Sequence, residues 1–182
     1  SPLPVVTKEI ALDGWDLGGP NYVGPPLLEL NGAGCVGFNG VPCDGLVLQG
    51  VDSFVNGVIV NRFSGNGIVL SGATSQSHLV QNCYVGTTAN GAADAGNGAS
   101  GILIDGSHHN LLWGNVISGN LFGVTIQGTT ATANTLQRNS IGTNPAGTAR
   151  IWNDDDGVRI VNAPGNTIGG SNGDERNVIS GN

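Results

Sequence analysis

Along this chain a glycine followed by an aliphatic residue, any residue, and a second aliphatic recurs at regular spacing. The phrases are Gly45-Leu46-Val47-Leu48, Gly67-Ile68-Val69-Leu70, Gly101-Ile102-Leu103-Ile104, Gly123-Val124-Thr125-Ile126 and Gly157-Val158-Arg159-Ile160. Their glycines are spaced 22, 34, 22 and 34 residues apart. A period in this range marks a solenoid, in which each repeat is one turn of a superhelix. The units also align beyond the glycine. A second polar slot holds Asn56, His78, Asn110, Asn134 and Asn166, followed two residues later by Val58, Val80, Leu112, Leu136 and Ile168. A third holds Asn61, Cys83, Asn115, Asn139 and Asn177, followed two residues later by Phe63, Val85, Ile117, Ile141 and Ile179. The last unit needs six extra residues, Ser171 to Arg176, to keep this register.

No unit has the i, i+3, i+4 spacing of a helix; each offers short alternating segments between Gly/Asn turns. One coil cannot bury its apolar face alone, but stacked coils bury it against one another. The chain is therefore all-β, a right-handed parallel β-helix (β-solenoid) of alternating plain ~22-residue and looped ~34-residue coils. The aliphatic slots are its inward ladders, and the Asn slots are turns where the amide bonds a neighbouring coil. The extra length lies in two segments, Thr87 to Ser100 and Thr143 to Asp156, which align without a gap, Gly91 on Gly147 and Asn97 on Asn153. Insertions of this kind emerge on one face of a solenoid, often the binding face.

Residues 1–44 are less regular, with alternation around Ile10 to Leu12 and Leu28 to Leu30. They are expected to form an atypical first coil or cap, and residues 45–182 the repeats, starting near 45, 67, 101, 123 and 157, in one domain. The closing phrase repeats an earlier one after which a new coil begins at once. The array is thus expected to be cut at its C-terminal side, leaving an open β edge for self-association.

The 32 glycines follow no Gly-X-Y period, which excludes collagen. A formal net charge of −7 without a Lys/Arg cluster argues against a nucleic-acid partner. No apolar run approaches the ~20 residues of a membrane span. Cys35 and Cys43 flank the Gly- and Pro-containing segment Val36 to Pro42. They suit a local disulfide and an oxidising compartment, the alternative being two idle thiols.

The phrases Asn115-Val116-Ile117-Ser118-Gly119-Asn120 and Asn177-Val178-Ile179-Ser180-Gly181-Asn182 carry a resemblance. So do Ile141-Gly142-Thr143 with Ala146-Gly147-Thr148, Asn166-Thr167-Ile168-Gly169-Gly170, and the stretch from Val60 to Ile68. The opening Leu3-Pro4-Val5-Val6 to Asp13-Gly14, then Pro26 to Leu30, belongs to the same pattern. Together they resemble bacterial secreted and surface proteins built from β-helix repeats, within the wider pectin-lyase-like fold. The resemblance implies a secreted or cell-surface location. The wider fold includes polysaccharide lyases, hydrolases and epimerases, and fold alone does not choose among them.

Three clusters carry candidate chemistry. Asp154-Asp155-Asp156 with Arg159 offers carboxylates for Ca²⁺ and a base for β-elimination of an acidic polysaccharide. The bland reading is a solvated loop in which Asp156 makes a turn bond, as Asp44, Asn66 and Ser100 would in the same pre-glycine slot. A second cluster is outward, where the rows Ile59, Gln81, Trp113, Gln137 and Arg62, Tyr84, Val116, Ser140 run side by side. Tyr84 and Trp113 with Arg62 and Arg138 would make a ligand-binding platform for a polysaccharide or cell-surface glycan. His78, His108 and His109 lack the spacing of a zinc site. The outward stripe Val47, Val69, Leu103 is a further surface for association. The expected function is an extracellular structural or adhesive repeat module that binds carbohydrate on one face, with a carbohydrate-active enzyme as the alternative. No cofactor is required by the first reading, and Ca²⁺ only by the second.

Overall fold

The structure, a computed structural model, describes residues 2–37 and 39–182. Ser1 and Phe38, both within the expected cap, lie outside the described residues. The described residues form seventeen short strands, β1–β17 in chain order, arranged in three all-parallel sheets. The first sheet stacks β3 (Leu46–Leu48), β6 (Ile68–Ser71), β9 (Ser100–Asp105), β12 (Phe122–Gln127) and β15 (Val158–Val161). The second stacks β1 (Ala11–Asp13), β4 (Phe54–Asn56), β7 (Leu79–Gln81), β10 (Leu111–Trp113), β13 (Thr135–Gln137) and β16 (Thr167–Ile168). The third stacks β2 (Leu28–Asn31), β5 (Val58–Asn61), β8 (Tyr84–Val85), β11 (Val116–Ile117), β14 (Ser140–Ile141) and β17 (Val178–Ile179). Every strand pairs with its equivalent one coil away, so the fold is a right-handed parallel β-helix. The lead-in segment supplies β1 and β2, and Val6 bridges to Leu48, so it contributes to all three sheets.

The core is a set of aliphatic columns. Leu46, Ile68, Ile102, Val124 and Val158 stack in the first sheet. Val55, Val80, Leu112, Leu136 and Ile168 stack in the second. Val60, Val85, Ile117, Ile141 and Ile179 stack in the third. The inner members of these columns are fully buried, whereas Ile168 and Ile179 in the last coil are exposed. One expectation fails in the first repeat. Val55, not Val58, pairs with Val80, and Val60, not Phe63, pairs with Val85. The first coil crosses from sheet one to sheet two in fewer residues than the others, so a constant repeat length hides a three-residue slip. Val58 and Phe63 are still buried, which is why hydropathy alone did not expose it.

The corners are held by side-chain amides. Between sheets one and two, the His78 N–H donates to Asn110 Oδ1, Asn110 N–H to Asn134 Oδ1, and Asn134 N–H to Asn166 Oδ1, all at 2.9–3.0 Å. Between sheets two and three the rungs are Cys83, Asn115, Asn139 and Asn177. Between sheets three and one a further ladder joins Phe63, Asn97, Asn120 and Asn153. Apart from Asn110, whose amide goes to Ser107 Oγ and Asn134 Oδ1, each Asn also donates its amide to a carbonyl of the preceding coil, as Asn115 does to Val80 at 2.9 Å. Parallel coils leave corner backbone groups with no strand partner, and a buried unpaired group costs ~1–3 kcal/mol. Asn serves because one short side chain supplies both acceptor and donor.

Cys35 and Cys43 are joined by a disulfide, with Cα atoms 6.1 Å apart. Among the described residues no helix is long and apolar enough to cross a membrane.

Candidate functional site

Sheets two and three meet in a corner only two residues long: Asn82-Cys83, Gly114-Asn115 and Arg138-Asn139. The second residue of each pair turns inward to the ladder. The first takes left-handed backbone, with φ of 53°, 66° and 59°. Glycine adopts this freely, whereas arginine does so at some cost. Arg138 holds it, and its guanidinium carbon lies 5.5 Å from the centre of the Trp113 ring. A cation over an indole face is worth ~0.5–1 kcal/mol at an exposed site, enough to offset much of that cost.

Trp113 follows the buried Leu112 on β10 and therefore points out. Tyr84 sits just past the same corner one coil earlier. With Trp15 from the lead-in segment, Trp113, Tyr84 and Arg138 border a hollow of about 360 Å³, closed on one side by Pro145 of the second inserted loop. Burial pushes the Tyr84 phenol above its usual range, with Tyr22 adding to the effect, so the hydroxyl is a neutral donor at physiological pH. Trp15 is fixed by its indole N–H donating to the Gly24 carbonyl at 3.2 Å and by its backbone N–H on Asp13. A chain of amides approaches from the N-terminal side: Asn56 donates to Asp13, and Gln81 and Asn82 donate to Asn56.

Three of the four expected platform residues therefore share one hollow. Arg62 does not join them. Its Nη1 lies 3.6 Å from Glu29 Oε1, the one ion pair among the described residues. The outward rows explain the separation: Asn56, Gln81, Trp113 and Gln137 form one, and Glu29, Ile59, Tyr84, Val116 and Ser140 the other. Ile59 and Arg62 were placed by the slipped register of the first coil. Trp15 comes from the irregular lead-in segment, and Pro145 from an inserted loop in which its aligned equivalent is Ala89.

The two inserted loops are hairpins of one design. Antiparallel bridges join Thr87 to Asp94 and Thr143 to Arg150, and the tips turn at Gly91 and Gly147 with φ of 66° and 67°. The first hairpin reaches across the plain coil between them, and a side chain at Gly91 would run into Pro145 and Tyr84. A second hollow, of about 470 Å³, runs from Tyr84 and Pro145 over both tips to Val23–Pro25.

Asp154, Asp155, Asp156 and Arg159 are all solvent-exposed. Asp154 Oδ1 accepts the Trp152 indole N–H at 3.1 Å, and the Asp156 carbonyl accepts the Gly123 N–H at 2.9 Å. Arg159 continues the outward row Val47, Val69, Leu103, Thr125 and lies 4.9 Å from the Phe122 ring centre. These groups are engaged separately rather than aimed at a common point. Among the described residues no three His, Cys, Asp or Glu side chains converge as a metal site. His108 and His109 meet at 2.8 Å on the surface, and His78 is buried in the first corner ladder. Within the apolar stripe Val69 is buried and Val47 and Leu103 are half-buried.

No family model matches this chain, and neither the curated proteins nor the solved structures compared with it gave a match.

Proposed function

We propose that this β-helix is an extracellular adhesive repeat module that holds a carbohydrate in the corner groove between its second and third sheets. The observation that carries the reading is the arrangement of Trp113, Tyr84 and Trp15 around one hollow, with Arg138 on the Trp113 face. Ring faces stack on the C–H faces of sugars, and the Arg138 edge and Tyr84 hydroxyl are left to bind oxygens. The framework is fixed by buried amide ladders, so little ordering cost falls on binding. A secreted or surface location fits the Cys35–Cys43 disulfide and the resemblance to surface β-helix repeats.

The test is a tryptophan-fluorescence titration with polygalacturonate, alginate, hyaluronan and neutral dextran, with reducing ends and unsaturated products followed in parallel. Saturable binding without turnover is expected, lost in Trp113→Ala. Turnover of any of these glycans, or no binding to any, overturns the reading.

A further inference from the structure

The hollow beside Trp113 does not end at the hairpin tips. It shares Tyr84 and Pro145 with the hollow over the tips. That second hollow shares Ala92 with a third, of about 200 Å³, which opens onto Arg150 and Trp152. Trp152 is 50% exposed, and the Arg150 guanidinium carbon lies 4.5 Å from its ring centre. Asp154 Oδ1 holds the indole N–H, which fixes the ring plane. Arg150, Trp152 and Asp154 alternate on an extended segment and so project to one side. The same arrangement, an arginine lying on an outward tryptophan, thus recurs in the first and last of three neighbouring hollows that share lining residues.

The charges point the same way. Lys8, Arg62, Arg138, Arg150, Arg159 and Arg176 are the only cationic side chains in a chain with formal net charge −7. Among the described residues only Arg62 has a carboxylate partner within ion-pair distance. Arg138 and Arg150 instead rest on indole faces, which leaves their N–H edges open. A guanidinium edge is the geometric complement of a carboxylate or sulfate. At the far end Asp94 lines the hollow, its Oδ1 capping the Gly96 N–H, and offers an acceptor for sugar hydroxyls.

We infer that the groove takes a linear acidic glycan that spans both platforms, one sugar stacking on Trp113 beside Arg138 and a later one on Trp152 beside Arg150. This rests on the carbohydrate-binding reading of the groove and extends it to a second subsite, a charge class and a minimum length. Two linked contacts act at high effective concentration, so a chain long enough to reach both gains far more than one that reaches either.

The experiment titrates the whole chain with oligogalacturonate and oligomannuronate, each as trimer and nonamer, and with a methyl-esterified oligogalacturonate nonamer as neutral control. The acidic nonamer is expected to bind at least tenfold tighter than its trimer. Trp152→Ala should remove that gain while leaving trimer binding within about twofold, and raised salt should weaken the nonamer more than the neutral control. If trimer and nonamer bind alike, or Trp152→Ala leaves the nonamer unchanged while Trp113→Ala abolishes it, the second platform is wrong and the corner groove stands. If the neutral nonamer binds as well as the acidic one, the charge assignment is wrong. If none of the oligosaccharides binds, both readings fall. Circular dichroism of Trp152→Ala, whose side chain is exposed, verifies that the variant is folded.

Discussion

Replacing Asn115 by alanine tests whether the corner ladders hold the coils together or merely decorate them. Asn115 is fully buried at the corner of the middle plain coil. Its Oδ1 accepts the Cys83 N–H at 2.9 Å, and its Nδ2 donates to the Val80 carbonyl at 2.9 Å and to Asn139 Oδ1 at 3.0 Å. Its own N–H bonds Asn139 and would survive the change. Alanine therefore leaves the Cys83 N–H without its partner in a dry corner and takes a second donor from the Val80 carbonyl, which keeps its place in the sheet ladder. At ~1–3 kcal/mol for the orphaned N–H and ~0.5–1.5 kcal/mol for the lost bond, the loss is about 1.5–4.5 kcal/mol. Urea unfolding followed by circular dichroism should show this loss, and hydrogen exchange should speed at Cys83. Asn90→Ala is the control. Asn90 bonds Thr88 and Ala92 in an exposed hairpin, where water substitutes, and its cost should stay within about 0.5 kcal/mol. Asn115→Asp keeps the shape but turns the donor into an acceptor facing two oxygens, and should destabilise as strongly. A loss below about 1 kcal/mol for Asn115→Ala, or a stable Asn115→Asp, would refute the reasoning.

His78 takes an asparagine's place in the first corner ladder. Its Nδ1 accepts the Ser53 N–H at 3.2 Å, and its Nε2 faces Ser75 Oγ at 2.9 Å, which fits the neutral ring protonated on Nε2. Burial lowers its pKa, partly opposed by the Gly50 backbone and the charge of Asp52. The unfolded chain then binds the proton more readily, so His78 contributes stability that is lost as pH falls from about 6.5 toward the lower folded value. His78→Asn should keep the ladder and lose less stability than the wild type between pH ~7 and ~5; parallel urea midpoints for the two would count against this. Cys83 is buried and its thiol is pushed up to about 12 by that burial. Iodoacetamide should label it only after unfolding, and labelling of the native protein at the rate of an exposed thiol would contradict the buried corner.

Much of this fold is legible because its columns repeat. Wherever the glycine phrase sets the phase, as in the first sheet, the aligned residues are the paired ones from Leu46 to Val158. The first coil defeats alignment because apolar residues crowd there: Val55, Val58, Val60 and Phe63 are all buried, and several registers satisfy hydropathy equally. The third corner ladder was missed for a related reason. Its rungs Asn97 and Asn153 lie at the ends of the inserted loops, whereas Asn120 lies in a plain coil, so no fixed spacing links them. Of the groove, Tyr84, Trp113 and Arg138 follow from the repeat, but Trp15 arrives from the irregular lead-in segment and Pro145 from an inserted hairpin, whose paths only the folded chain reveals. A local signal for the second platform was present in Arg150-Ile151-Trp152-Asn153-Asp154. Alternation there puts the arginine, the ring and a carboxylate on one side while Ile151 and Asn153 are buried.

The crossing of the two hairpins over the plain coil sets a spacing rule. Gly119, in the short turn of that coil, lies against Gly96 of the hairpin coil before it and donates its own backbone N–H to the Trp152 carbonyl of the hairpin coil after it. A side chain at Gly96 would collide with the Gly119 carbonyl, so the turn beneath has no room to grow. Two hairpin coils in direct succession would compete for the same space. The plain coil is thus a spacer, and the smallest unit by which such an array can lengthen while keeping its groove is a pair of coils. Duplication in pairs would add one hairpin at a time, so the reach of the surface would be set by counting pairs rather than by redesigning any contact.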